Sequence, residues 1–173
     1  MNLAGYYSES TSNGEGWRAV IFVSGCPHKC PGCQNKDAQD ANYGQPFTEE
    51  KQMEIYNDIQ KNRGLSGVTL SGGEPFESAK GLNPLVSSIK QLGMDVWAYT
   101  GYTLEELLQS EDYYKKCLLS YVDVLVDGKY IEAKRNIGLF FRGSSNQRII
   151  DMNKFRETRN FELSLKRYEE EEL

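Results

Sequence analysis

"WRAVIFVSGCPHKCPGCQN", residues 17–35, joins two unlike halves. The first half, WRAVIFVSG, is apolar and β-branched, which predicts a buried strand over 17–25. The second half places Cys26, Cys30 and Cys33, three of the chain's four cysteines, around the only histidine, His28. A buried strand that runs directly into a polar, ligand-rich loop suits a parallel α/β unit. In such folds binding groups collect at the C-terminal ends of the strands.

The alternation continues downstream. TEEKQMEIYNDIQKNR (48–63) reads as an amphipathic helix with Met53, Tyr56 and Ile59 on its apolar face. GVTLSGG (67–73) reads as a second strand. NPLVSSIKQLG (83–93) reads as a helix with Pro84 at its first position and Gly93 past its end. DVWAYTG (95–101) is a third strand, and Thr103 with Glu106 forms a capping-box pattern for the helix that follows. YVDVLVDG (121–128) is a fourth strand, and IGLFFRG (137–143) and NQRIID (146–151) are candidates for two more. The order implies a largely parallel sheet with right-handed crossovers. A full eight-unit barrel takes about 250 residues, so this chain of 173 residues is expected to form a partial, open parallel β/α barrel. On this reading 1–161 is a single domain and 162–173 an acidic tail.

Composition narrows the function. The chain is 39% hydrophobic and 26% charged, as in ordinary soluble domains. The net charge is −5, and no basic footprint for nucleic acid is present. No apolar run is long enough to span a membrane. The N-terminal stretch lacks the basic and apolar regions of a signal peptide, so a cytoplasmic location is expected. There, clustered cysteines point to a metal or cluster rather than to disulfides. Cys117, in YYKKCLLSY, reads as a buried structural thiol.

The spacing Cys26-x3-Cys30-x2-Cys33 offers three thiolates. Zinc would need a fourth ligand. His28 lies between two of the cysteines, where reaching the same ion would strain the loop, and Cys117 would have to arrive from a distant helix. A [4Fe–4S] cubane held by three cysteines keeps one iron open for a chelating ligand, and glycine-rich backbone nearby would let that ligand approach. Each predicted strand ends in such a segment: the cysteine loop, SGGEP (71–75), YTGY (99–102) and DGKY (127–130).

The cysteine spacing resembles the signature of the radical S-adenosylmethionine (SAM) enzymes, and SGGEP resembles their companion GGE motif. NGEGWRAVIFVSGCPHKCPGCQN, LSGGEPF, VWAYTGYTLEEL, VLVDGKY and FRGSSNQRIID are similar, in order, to the glycyl-radical-enzyme activases, and most to the activators of anaerobic ribonucleoside-triphosphate reductase. The resemblance runs from about residue 5 to residue 151. It implies a radical SAM fold with a [4Fe–4S] cluster and SAM as cofactors, and an oxidoreductase. Reductive cleavage of SAM would yield a 5′-deoxyadenosyl radical that abstracts a glycine Cα hydrogen from the reductase. An electron donor such as flavodoxin is implied. The resemblance assigns Cys26, Cys30 and Cys33 to the cluster. It assigns Gly32, Cys33, Gln34, Gly72, Gly73, Glu74, Thr100, Asp127, Gly128 and Lys129 to SAM.

Bland readings stand beside these. Gly72–Glu74 could be an ordinary strand-to-helix turn, and Asp127 to Lys129 a surface turn. Gly32 stands where the wider superfamily often has an aromatic residue that packs near adenine, so that packing must come from elsewhere. Asn13 to Gly16 read as a loop near the cluster or partner, with Trp17 as core. Activation of another glycyl radical enzyme, such as pyruvate formate-lyase, is the nearest alternative. A small radical SAM enzyme acting on a metabolite and a non-catalytic zinc module are the others.

Overall fold

The computed structural model describes residues 1–168. The chain begins with β1 (Asn2–Ser10), β2 (Arg18–Val23) and the short β3 (Gln45–Pro46), followed by α1 (Glu49–Lys61). It continues through β4 (Gly67–Gly72), α2 (Ala79–Gln91), β5 (Asp95–Tyr99), α3 (Leu104–Gln109) and α4 (Tyr113–Tyr121) to β6 (Val124–Asp127). The last elements are β7 (Arg148–Asp151), α5 (Met152–Thr158) and α6 (Phe161–Ser164).

The strands form one mixed sheet in the order β3-β1-β2-β4-β5-β6-β7, which does not close on itself. The predicted parallel pairing holds for β2, β4, β5 and β6. It fails at both edges, where β1, β3 and β7 run antiparallel to their neighbours. A return connection without a crossover helix produces antiparallel pairing. β1 meets β2 through such a return, and β7 comes back beside β6 after the long 128–147 segment.

Side chains alternate between the two faces of the sheet. Ala19, Ile21 and Val23 of β2, with Val68, Leu70, Val96 and Ala98, enter the larger core under the helices. The opposite face carries Trp97, Val124, Val126 and Ile149, with Tyr99, Phe141 and Tyr168 packed on them. Residues 137–143 form no strand. They cross this second face, where Phe141 meets Trp97 edge-on at 5.5 Å. Trp17 is 54% exposed, contrary to its reading as core, and its neighbour Arg18 is fully buried instead. The Arg18 guanidinium lies 5.3 Å from the Trp97 ring and donates to Thr69 Oγ1, the Val68 carbonyl and Asp95. These partners on β4 and β5 are what a buried cation requires.

The helices start where local chemistry allows. Thr48 caps α1 by accepting from the Lys51 amide. The buried residues of α1 are Ile55 and Ile59, and Met53, expected on the apolar face, is 56% exposed. α2 begins at Ala79, so Pro84 lies inside it and not at its first position. Gly93 does follow its end, with φ 78°. The capping box of Thr103 and Glu106 is present with both of its bonds.

The stretch expected as an acidic tail is placed as far as Tyr168. Leu165 bridges Ile150, the Lys166 amide donates to the Ile149 carbonyl, and both Lys166 and Tyr168 bond the Glu15 carboxylate. Glu169–Leu173 lie outside the described residues.

Asp127 ends β6 as a structural anchor. It is fully buried and accepts from the Leu104 amide at 2.7 Å and from Arg148 Nε and Nη2 at 2.9 and 2.5 Å. Removing one partner of a buried pair leaves the other unpaired, so Asp127→Ala should lower unfolding free energy by about 3 kcal/mol. Lys129 is exposed, and Lys129→Ala should stay within about 0.5 kcal/mol of the parent. Urea titration of the two variants checks the contrast.

Candidate metal-cluster site

The C-terminal ends of β2, β4, β5 and β6 open onto one cleft of about 490 Å³. Cys26, Cys30 and Cys33 line it from the loop after β2. Gly72, Gly73 and Glu74 face them from the turn after β4, and Tyr99, Thr100 and Gly101 from the end of β5. Gly128 and Tyr130 follow β6, and the rest of the wall comes from residues between Leu139 and Gln147 and from Tyr7, Ser12 and Asn13. β4 delivers its turn beside the cysteine loop because β2 and β4 pair in parallel from Arg18↔Gly67 to Val23↔Gly72.

Main-chain bonds hold this junction. The Gly73 amide donates to the Val23 carbonyl at 2.7 Å and the Glu74 amide to the Gly25 carbonyl at 2.8 Å. Behind the loop, a 3₁₀ turn at Asp37–Gln39 supplies acceptors to the Gly25 and Cys26 amides. Two glycines are dictated by this closeness. Gly72 has φ 100°, and a Cβ there would strike the Val23 backbone. A Cβ on Gly73 would overlap the Gly25 and Ala38 carbonyls.

Glu74 is fully buried at the centre. One of its oxygens accepts from the Phe76 amide at 3.1 Å and Thr100 Oγ1 at 2.9 Å. The other meets the Gly101 amide at 2.8 Å and His28 Nε2 at 3.0 Å. Burial pushes the Cys26 thiol above its ordinary range, and the nearby Glu74 charge adds to this. The Cys26 thiol therefore favours the protonated form in the protein alone, and metal binding there would release a proton.

All four cysteines are free. Cys117 sits on α4 and does not line the cleft. His28 reaches the cleft, yet its Nε2 is bonded to Glu74. Among the described residues, no three His, Cys, Asp or Glu side chains are gathered as for a single metal ion. Three thiols on one loop, with His28 already bonded to Glu74, fit a multi-iron cluster better than one tetrahedral zinc.

Of the other predicted residues, Gln34, Thr100 and Gly128 line the cleft. Gly32 borders it without lining it. Its φ is 72°, and a Cβ there would meet the Glu132 carboxylate. Asp127 and Lys129 are not brought in. The lining that sequence reasoning missed includes five aromatic residues, Tyr7, Phe22, Tyr99, Tyr130 and Phe141, beside polar ones such as Ser12, Asn35, Ser71, Arg142 and Gln147. Strand alternation could have put Phe22 and Tyr99 on one face. Tyr7 depends on the β1 pairing, and Phe141 on a turn with φ 53°.

A family model described as a 4Fe-4S single cluster domain matches residues 12–150. The protein belongs to that class. It is 40% identical over 152 residues to the anaerobic ribonucleoside-triphosphate reductase-activating protein of Escherichia coli (strain K12), covering 85% of this chain and 96% of that one. The protein of the same description from Vibrio cholerae is 42% identical over 153 residues, covering 85% and 96%. That of Enterobacteria phage T4 is 39% identical over 153 residues, covering 86% and 93%. Within the class, the chain belongs to the family of anaerobic ribonucleoside-triphosphate reductase-activating proteins.

The junction generates a prediction. Gly73→Val forces a side chain against the Gly25 carbonyl, so it should displace the cysteine loop itself. Iron content after anaerobic reconstitution should fall by half or more while the circular dichroism spectrum is retained. Iron assay of the purified variant checks this.

Proposed function

We propose that the protein activates an anaerobic ribonucleoside-triphosphate reductase by generating a glycyl radical on it, using a [4Fe–4S] cluster and SAM bound in the cleft. One observation carries the reading most strongly. Cys26, Cys30 and Cys33 face the Gly72–Glu74 turn across a single cleft, in a chain 40% identical to reductase-activating proteins over most of its length.

The group that fits is a cluster held by Cys26, Cys30 and Cys33, with one iron left to a chelating ligand. The Gly72–Gly73 turn, packed against the Val23 and Gly25 backbone, presents main chain at the cleft wall, where an amino-acid-like ligand can meet it. The aromatic side chains of Tyr7, Phe22, Tyr99, Tyr130 and Phe141 offer faces for adenine, in place of the aromatic residue that Gly32 replaces. When bound, the two cofactors supply a hydrogen-atom acceptor strong enough to oxidise a glycine Cα–H. The protein binds and orients them.

An open sheet leaves the rim accessible to a polypeptide loop. A glycine Cα radical is delocalised over its flanking amides, so glycine is a sensible place to hold the spin. The mixed sheet serves as the partial barrel of a radical SAM enzyme. An electron donor such as flavodoxin would reduce the cluster. The setting proposed is the cytoplasm; among the described residues no helix is long and apolar enough to cross a membrane.

Anaerobic incubation with the reductase, SAM and a reductant should give a glycyl radical signal by electron paramagnetic resonance. The chain should hold about four irons. Cys33→Ala should lose the intact cluster and the signal, whereas Cys117→Ala should keep both. Cluster loss in Cys117→Ala would sink the three-ligand reading. SAM turnover that converts a metabolite and leaves every reductase diamagnetic would sink the activase reading.

A further inference from the structure

His28 sits among the three cysteines, yet its side chain is only 7% exposed and points into protein. Its Nε2 lies 3.0 Å from Glu74 Oε2. Its ring stands edge-on to Tyr102 with centroids 4.5 Å apart. Gly101 has no side chain where one would fall directly onto the His28 ring. Tyr102 is fixed from behind by Glu77, at 2.5 Å, and by Lys115, whose ammonium stands 4.7 Å from the Tyr102 ring. The imidazole thus has a fitted seat between the turn after β4 and the loop after β5.

The other ties of the cysteine loop lie at its two ends: main-chain bonds of Gly25 and Cys26 at its start, and after Cys33 the Asn35 side chain, which donates to the Gly72 carbonyl at 3.5 Å. From Pro27 to Cys33, among the described residues, no side chain except His28 hydrogen-bonds outside the loop. A carboxylate offers about four acceptor positions. Glu74 fills its own with the Phe76 amide, Thr100, the Gly101 amide and His28. Only the last of these comes from the loop that bears the thiols.

We infer that His28 is a positioning residue, whose bond to Glu74 and seat against Gly101 and Tyr102 hold Cys30 and Cys33 in register with the Gly72–Glu74 turn. The inference rests on the reading of the three cysteines as cluster ligands. His28 acts through Glu74 and touches no reacting atom. Partners one step behind the ligands commonly set metal affinity by orienting them.

The test uses the full chain, reconstituted anaerobically, and the rate at which iron passes to a strong chelator. His28→Ala should release iron about ten-fold faster than the parent, the usual scale for losing such a partner. His28→Gln should restore most of the difference, because its amide can donate to Glu74. Gly101→Ala leaves His28 in place but occupies its seat, and should also speed release. If His28→Ala fails to fold, Gly101→Ala alone decides. The reduced cluster's paramagnetic signal should change on SAM addition in the parent and in His28→Gln, and change less in His28→Ala.

Unchanged iron release in His28→Ala and Gly101→Ala would overturn the inference. So would a His28→Gln variant no better than His28→Ala, since the imidazole would then be acting as something other than a donor to Glu74. Failure of the underlying reading has its own signature, a parent chain that takes up zinc and no iron.

Discussion

Four donors converge on the Glu74 carboxylate, which has no contact with water. Such a group is tolerated in a protein interior only when its acceptor positions are filled. The donors come from its own turn, from the loop after β5 and from the loop after β2. Satisfying this one group therefore brings three strand ends together. The close approach leaves no room for side chains at Gly72, Gly73 or Gly101. The glycines of the rim are thus consequences of a buried charge and of the loops drawn in to neutralise it.

The two faces of the sheet do different physical work. The face under the helices is apolar and continuous, and it supplies the cohesion that keeps the strand ends in register. The other face carries Arg18, Thr69, Trp97 and Tyr99, groups that need partners and leave space at their upper ends. The lower part of that face is closed by Phe141 and by Tyr168, whose hydroxyl is 2.5 Å from Glu15. Burial pushes the Glu15 carboxyl up, but the bonds from Lys166 and Tyr168 outweigh it and leave Glu15 below its ordinary range. This closure is therefore present above the usual carboxylate titration and weakens as pH falls through the lowered value. The upper part stays open as the cleft.

This arrangement separates holding from reacting. Strong, satisfied electrostatic contacts at Asp127 and Arg18 lie behind the cleft wall or beneath it, and Glu74, in the wall itself, has its acceptor positions filled. The thiols and the aromatic side chains that face the cleft remain partly exposed. A site proposed to accept a cluster, a nucleoside and a stretch of another chain gains from such a division. Its rigid groups are prepaid in folding, and its exposed groups stay free to meet what arrives.

Some of this was legible in the sequence for local reasons. The cysteine spacing, the capping box of Thr103 and Glu106, and the apolar strands β2, β4, β5 and β6 depend on neighbours a few residues apart. So does the placement of glycine-rich turns at the strand ends. The functional family was legible because its motifs are short and contiguous. β1 was not, because NLAGYYSES becomes a strand only by pairing with β2. Asp127 was read as a ligand group, but its partners Leu104 and Arg148 lie 23 and 21 residues away. Trp17 was read as core, yet Arg18 is the buried neighbour, because Trp97 and Asp95, on β5, offer the cation its partners. The sequence by itself determined which chemistry the chain can hold, because ligand type and spacing are properties of a short loop. Only the tertiary structure decided which groups face the cleft and which hold it from behind, because that choice depends on who meets a buried charge across the sheet.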